Sequence, residues 1–430
     1  MSCLSGIKST VDEVKDLNDD YLNFLLDIMT LYYADDTIIL ADSAIELQAA
    51  LEELFEYCKK WKLVVNEGKT KVLCITGQRL QNMKFYYNDK ELEVVNEFVY
   101  LGITFSQKGL GMPAIKAREV SGKKSMFSVL TKCKVNNLPV DLSIDLFEKM
   151  VIPTLIYGAE IWGFGNLISL ERIQLKFAKY LLKLKRNTPN KMIYGETGLY
   201  PIEFYINMRI ISFWVKLITG KQDKISYKLY SMCLTLNSHR RLECKWLQKV
   251  QNLLNRTGFS FVFEEQKQLE KEWLKQSFLP NIKQVMKDQI IQEWLGQVTL
   301  ESEKCFHYKN FGLEYEVKKY FEILVPSLWI PFCRFRTGNH KFPVEIYSWT
   351  KLHKERNERT CTICDSGAIG DEYHYLMICP IFQEFREEYL PNYYLNRPTL
   401  AKFYKLMKTE KKTLLIKVAK LVKEILVFFP

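Results

Sequence analysis

Two groups of residues have the types and spacing to do chemistry. The first is Asp35-Asp36, adjacent carboxylates set between the runs Leu31-Tyr32-Tyr33 and Thr37-Ile38-Ile39-Leu40. Tyr32, Tyr33, Ile38 and Ile39 favour strands, so Ala34-Asp35-Asp36 reads as the tip of a hairpin. Carboxylates projected from a stiff sheet edge suit divalent cations, which want oxygens held in a fixed place. The plainer reading is a polar turn. The second group is Cys361-x2-Cys364-x9-His374-x4-Cys379. Cysteines two residues apart make a knuckle whose thiolates reach one ion. The His and the third Cys complete a tetrahedral Cys3His set that suits Zn²⁺. Gly367 and Gly370 permit a turn between the pairs. The alternative is four unconnected residues in a helical domain.

The elements that must carry these groups are legible as patterns. Ser43 can cap a helix with Glu46 as its capping-box partner. Leu47, Leu51, Leu54, Cys58 and Trp61 then recur at helical spacing, and Lys59, Lys60 and Lys62 follow at its end. Short strands are predicted over 63–65 and 72–76, with a loop over 66–71. A hairpin is predicted from 85–87 and 92–95 around Asn88-Asp89-Lys90, and one further strand over 98–105. Strand and helix stop alternating near 109–113, and from Ala114 the chain reads as mainly helical. A helix over 169–186 places Ile173, Phe177, Leu181 and Leu184 on one face and Arg172, Lys176, Lys179, Lys183 and Arg186 on another. That basic stripe is either a solvated surface or a track for phosphates. Helical patterns follow over 200–218, 244–254 and 282–298.

Composition narrows the class. A hydrophobic fraction of 47% with 26% charged residues excludes a disordered chain. A net charge of +11 leans toward polyanionic partners. No apolar run approaches the ~20 residues of a membrane span, and residues 1–15 lack an apolar signal core. Most of the 11 cysteines stand singly among apolar residues, as in a reduced intracellular protein. Nuclear and cytoplasmic locations are not distinguished by these features.

Four motifs arrive in fixed order within about 75 residues: Tyr33-Ala34-Asp35-Asp36, the capped helix ending at Trp61, Asn66-x-x-Lys69-Thr70-Lys71, and Phe98-Val99-Tyr100-Leu101-Gly102. The order resembles the second half of the palm of a reverse transcriptase from non-LTR (LINE-type) retrotransposons. Tyr157-Gly158-Ala159-Glu160-Ile161-Trp162-Gly163, Arg334-Phe335-Arg336-Thr337-Gly338-Asn339-His340 and the terminal Cys/His group resemble the thumb and C-terminal segments of the same elements. The resemblance implies RNA-directed DNA polymerase chemistry with two Mg²⁺ ions. Asp35 would bind metal with Asp36 supporting it, Lys69 would face the pyrophosphate, and Tyr100, Leu101 and Gly102 would form the primer grip. It also implies Zn²⁺ at Cys361, Cys364, His374 and Cys379. The basic helix would follow the template–primer duplex. Arg334, Arg336, His340 and Lys341 would give the zinc module a basic flank, although His340 reads equally well as a structural histidine.

The fold expected is α+β: a partial palm over 1–112, a helical thumb-like region over 113–222, a helical C-terminal region over 223–350, a Cys3His zinc knuckle over 351–390 and a basic helical tail over 391–430. The palm of the family carries another metal-binding aspartate on an earlier strand. Asp27 is the nearest candidate and lies too close to the hairpin to sit on a separate strand. The chain is therefore expected to be truncated, with an incomplete two-ion site, and inactive alone. The partners expected are an RNA template, an RNA–DNA or DNA duplex and the upstream half of the element protein, with no membrane. The alternative function is a non-catalytic nucleic-acid-binding protein built on the thumb helix and zinc knuckle, and a third reading is the inert product of a decayed element.

Overall fold

In the computed structural model, which describes residues 30–75, 83–238, 243–300, 306–349 and 354–429, the expected hairpin forms. Strand β1 (Thr30–Tyr33) pairs antiparallel with β2 (Asp36–Ile39), and Tyr33 stands opposite Asp36. The two-residue turn is thus Ala34-Asp35, with Ala34 left-handed at φ 53°. Asp36 opens the second strand instead of sharing the tip.

Helix α1 (Ala44–Trp61) starts where Ser43 accepts a hydrogen bond from the Glu46 backbone N–H at 3.2 Å. Glu46 in turn accepts from the Asp42 backbone, one residue before the position that a capping box uses. Leu51 and Cys58 are buried. Leu51 joins Val72, Phe85, Tyr87 and Leu92 in a core that Leu47 and Leu54 flank. Burying each such large side chain is worth about 1.5–3 kcal/mol. Trp61, expected on this face, is exposed instead, because the helix ends there with Lys62 left-handed at φ 56°. That turn also overrides the strand expected over 63–65. The segment pairs with no strand, and Val64 is 96% exposed.

Strands β3 (Lys71–Leu73), β4 (Phe85–Tyr87) and β5 (Lys90–Val95) form one sheet in the order β3-β5-β4. The β4–β5 turn is Asn88-Asp89, both at positive φ, as a two-residue hairpin loop requires. The single strand expected over 98–105 is instead a hairpin of β6 (Glu97–Tyr100) and β7 (Ile103–Ser106). Leu101 (φ 46°) and Gly102 (φ 75°) break it into two. Thr76 and Asp27 lie outside the described residues.

From here the chain is helical. Helix α2 runs over Gly111–Val135, α3 over Ala159–Trp162, α4 over Ile168–Leu181, α5 over Asn190–Thr197 and α6 over Ile202–Ile218. Helices α7 (Lys245–Arg256) and α8 (Leu279–Leu300) match the remaining helical patterns, and α9 (Pro326–Arg336) and α10 (Lys412–Val427) follow. Helix α4 stops short of the expected 186. The Leu184 N–H bonds to the Lys179 carbonyl and Lys183 N–H to Tyr180, with Lys183 at φ 56°, a Schellman stop. None of the helices among the described residues is long and apolar enough to cross a membrane.

Two compact units result. One comprises 1–118, 157–167 and 206–283, the other 119–156, 168–205 and 284–430. The chain passes between them repeatedly. In the second unit α9 packs on α10. Phe342, Tyr375 and Phe429 pack together at steep ring angles with centroids 4.5–4.9 Å apart, and Phe382 meets Phe428 at 5.0 Å. The Cys/His segment and the C-terminal helix therefore share one apolar core.

Candidate functional site

The carboxylate hairpin and the grip hairpin both belong to the first unit. Asp35 and Asp36 are exposed. Burial, together with the charges of Asp36 and Tyr33, raises the pKa of the Tyr100 phenol. Lys69 sits on a turn folded around Asn66, whose backbone carbonyl accepts from the Lys69 and Thr70 N–H groups at 3.0 Å. The Lys69 side chain is exposed. Among the described residues no third carboxylate, His or Cys joins Asp35 and Asp36 as a ligand group.

The Cys/His cluster is of the opposite kind. The ligand atoms of Cys361, Cys364, His374 and Cys379 all lie within 4.8 Å of one another. A short ladder presents the knuckle: Cys361 N–H donates to the Ala368 carbonyl and Gly370 N–H to Arg359, each at 2.8 Å. Gly367, at φ 65°, makes the turn between them. His374 opens a π-helical turn, His374–Ile378, whose closing bond runs from the Cys379 N–H to the His374 carbonyl at 2.7 Å. An i to i+5 bond is what brings residues at the His-x4-Cys spacing together, whereas an α turn would splay them around the axis. The Asp371 carboxylate caps this turn by accepting from the His374 N–H at 2.9 Å.

Three of the four are buried and Cys364 is partly open. His374 Nε2 lies 3.4 Å from Cys364 Sγ. Burial lowers the His374 pKa against the pull of Asp371, which favours the neutral imidazole that a metal ligand must be. Burial pushes the Cys379 thiol up to about 12. At Cys364 burial acts in the same direction, but hydrogen bonds from Ser366, Cys361 and Cys379 together outweigh it and lower the pKa. In a tetrahedral zinc site with bonds of about 2.3 Å to sulfur and 2.0 Å to nitrogen, ligand atoms stand roughly 3.5–3.8 Å apart. The donor set and its spacing fit such an ion.

The expected nucleic-acid contacts divide. Arg172, Lys183 and Arg186 are exposed. Lys176 is half-buried, with its ammonium 4.9 Å from the Phe127 ring centroid. Lys179 is turned inward, donating to the Arg186 carbonyl and to Asn190 Oδ1 at 2.9 Å each, and burial lowers its pKa. Arg334 is exposed, and its Nε donates to the Lys183 carbonyl at 3.2 Å. Arg336 departs from the expectation. It is 5% exposed, bound to Glu196 at 3.1 Å and to the Met407 carbonyl at 2.6 Å, and so has no surface to offer a phosphate. His340 is also buried, 3.0 Å from Glu372 and stacked on Phe342, which makes it a structural histidine.

Asn339 ties the loop after α4 to the loop after α9, accepting from the Lys185 N–H at 3.3 Å and donating to Thr188 Oγ1. Lys183, Lys185, Arg186 and Arg334 thereby gather at one place, and all four are exposed. Periodicity could not find Lys185, because it lies past the helix end, where the 3.6-residue repeat no longer applies. Its signal is the neighbouring Lys-x-Lys-Arg run.

The family model for reverse transcriptase (RNA-dependent DNA polymerase) matches residues 7–105. A transposon-derived protein of Caenorhabditis elegans is 29% identical over 161 residues, which are 35% of this chain and 54% of that protein. The RNA-directed DNA polymerase from mobile element jockey of Drosophila funebris is 24% identical over 169 residues, 37% of this chain and 18% of the relative. That of transposon BS from Drosophila melanogaster is 30% identical over 156 residues, 33% and 17% of the two. The chain thus spans about half of the first relative and under a fifth of the others. No solved structure matches.

Proposed function

We propose, for a chain that is a reverse-transcriptase-like protein of non-LTR retrotransposon origin, that it binds a primer–template duplex and offers part of a two-ion polymerase centre. The observation that supports this reading is that the Tyr33-Ala34-Asp35-Asp36 hairpin and the hairpin that turns at Leu101-Gly102 both form and belong to one unit. Asp35 and Asp36 would supply oxygens to Mg²⁺. When bound, two such ions favour the attacking primer hydroxyl and offset charge on the leaving pyrophosphate. Because two carboxylates are too few, the centre requires another from an earlier palm strand, and the upstream half of an element protein is the partner proposed to bring it. Lys69 is the candidate cation for the pyrophosphate. In the second unit Cys361, Cys364, His374 and Cys379 would hold one structural Zn²⁺, and Lys183, Lys185, Arg186 and Arg334 would meet phosphates.

Primer extension on a poly(A) template with Mg²⁺ or Mn²⁺ tests this. The 430-residue chain alone should give no extension, while adding the upstream palm segment should restore extension that Asp35→Ala abolishes. Extension by the chain alone, abolished by Asp35→Ala, would show that the centre is complete as it stands. The second reading is a non-catalytic nucleic-acid-binding protein, favoured by the exposed basic cluster. Duplex binding without any restored extension would select it.

A further inference from the structure

The Tyr157–Gly163 motif has no role so far, yet it lies against the turn on which the grip depends. The Tyr157 hydroxyl donates to the Leu101 carbonyl at 2.9 Å. Arg118 donates from Nη2 to the next carbonyl, Gly102, at 3.0 Å. The guanidinium stands 5.4 Å from the Tyr157 ring centroid, so the two braces also hold each other. Carbonyls on a two-residue hairpin turn ordinarily face water. Here both successive ones are bound to side chains.

The motif is built to keep Tyr157 in that place. Trp162 Nε1 donates to the Tyr157 carbonyl at 2.9 Å. Gly158 is left-handed at φ 72°, and a Cβ there would come within 2.8 Å of Ile103 Cδ1, on the strand leaving the turn. At Gly102 a Cβ would come within 3.2 Å of Tyr157 Cε1. Trp246 Nε1 and Arg209 anchor Glu160, at its carbonyl (2.8 Å) and its carboxylate (2.5 Å). All of these residues belong to the first unit.

We infer that Tyr157 and Arg118 are positioning residues that fix the Leu101-Gly102 turn for the 3′ end of a primer. This rests on the reading of that turn as the primer grip. Neither side chain need touch the primer. Each holds the backbone that would.

The test compares binding of the full chain to two forms of one RNA–DNA duplex, one with a recessed primer 3′ end and one blunt. Wild type should prefer the recessed end. One hydrogen bond is worth about 0.5–1.5 kcal/mol, so its removal in Tyr157→Phe should weaken recessed-end binding by up to roughly two- to twelvefold. Blunt-duplex affinity should stay as in wild type. Arg118→Met should act alike, and Arg118→Lys, which keeps the charge, should recover part of the affinity. Equal weakening on both duplexes, or none on either, overturns the inference. A wild type with no recessed-end preference defeats the primer-grip reading and, with it, the positioning role. Hydrogen exchange at Ile103 then separates the two failures. Faster exchange in Tyr157→Phe would show that the brace exists and serves another purpose, and unchanged exchange would show that it does not hold the turn.

Discussion

At the Tyr-Ala-Asp-Asp hairpin the sequence motif is specific and the geometry sparse, with two exposed carboxylates and no third ligand gathered to them among the described residues. At the Cys/His cluster each residue type is common, but the four donor atoms converge within 4.8 Å in a largely buried place. Convergence of that kind has to be arranged by the backbone, here by a glycine turn and a π turn. A motif therefore says which chemistry a segment descends from, and convergence says which chemistry the folded chain can still support. On the proposed reading the first region would act with a partner and the second would need only its ion.

The largest contrast should come from metal. Structural zinc sites contribute about 10–16 kcal/mol of apparent binding free energy near neutral pH. Purified protein should contain one Zn²⁺, and chelation or Cys379→Ser should release it. Because Tyr375 packs against both Phe342 and Phe429, the damage should spread into α10 and not remain within 351–390. Limited proteolysis should then open sites in both segments, while α1 and the β3-β5-β4 sheet keep their protection. A metal-free protein with a resistant C-terminus would remove the contrast altogether. At the hairpin, by comparison, adding Mg²⁺ should leave the melting midpoint unmoved, as should Asp35→Ala.

A smaller but still large effect separates two arginines two residues apart. Arg336→Met leaves Glu196 buried without its cation, and breaking a buried pair in this way costs about 3–5 kcal/mol. Arg334→Met should change stability by less than about 0.5 kcal/mol, as surface substitutions do. Chemical denaturation of the two variants reads the difference directly, and equal midpoints would contradict the burial assigned to Arg336.

These arginines also show what the sequence could and could not tell. The hairpin, the capped helix, the β4–β5 turn and the Cys3His set were all legible, because each depends on local chemistry at fixed spacing. The β6–β7 hairpin was not, since Phe98-Val99-Tyr100-Leu101-Gly102-Ile103-Thr104-Phe105 is apolar throughout and only the positive φ of Leu101 and Gly102 divides it. Arg334 and Arg336 look alike in a basic motif, and what separates them is Glu196, 140 residues away in the chain. Lys179 fits the basic stripe by periodicity, but a Schellman stop folds Arg186 and Asn190 back over it. Long-range partners and helix ends are what a periodic reading leaves out.

The smallest effect tests whether the exposed basic cluster binds nucleic acid or is merely solvated. Lys183, Arg186 and Arg334 are exposed, so charge reversal there takes cations away from the phosphates without emptying a core. Each phosphate left without its cation should flatten the slope of log affinity against log salt by roughly 0.7–0.9, so the triple reversal should flatten it by about 2–3. Lys179 supplies the internal comparison. Its ammonium already serves the Arg186 carbonyl and Asn190, so Lys179→Met should lower the melting midpoint and leave the salt slope unchanged. The two outcomes must come apart for the division between inward and outward basic residues to hold. If the triple reversal leaves both affinity and slope unchanged on an RNA–DNA hybrid, the cluster is solvated surface. If Lys179→Met flattens the slope as much as a surface lysine does, then its ammonium leaves the protein to meet the duplex.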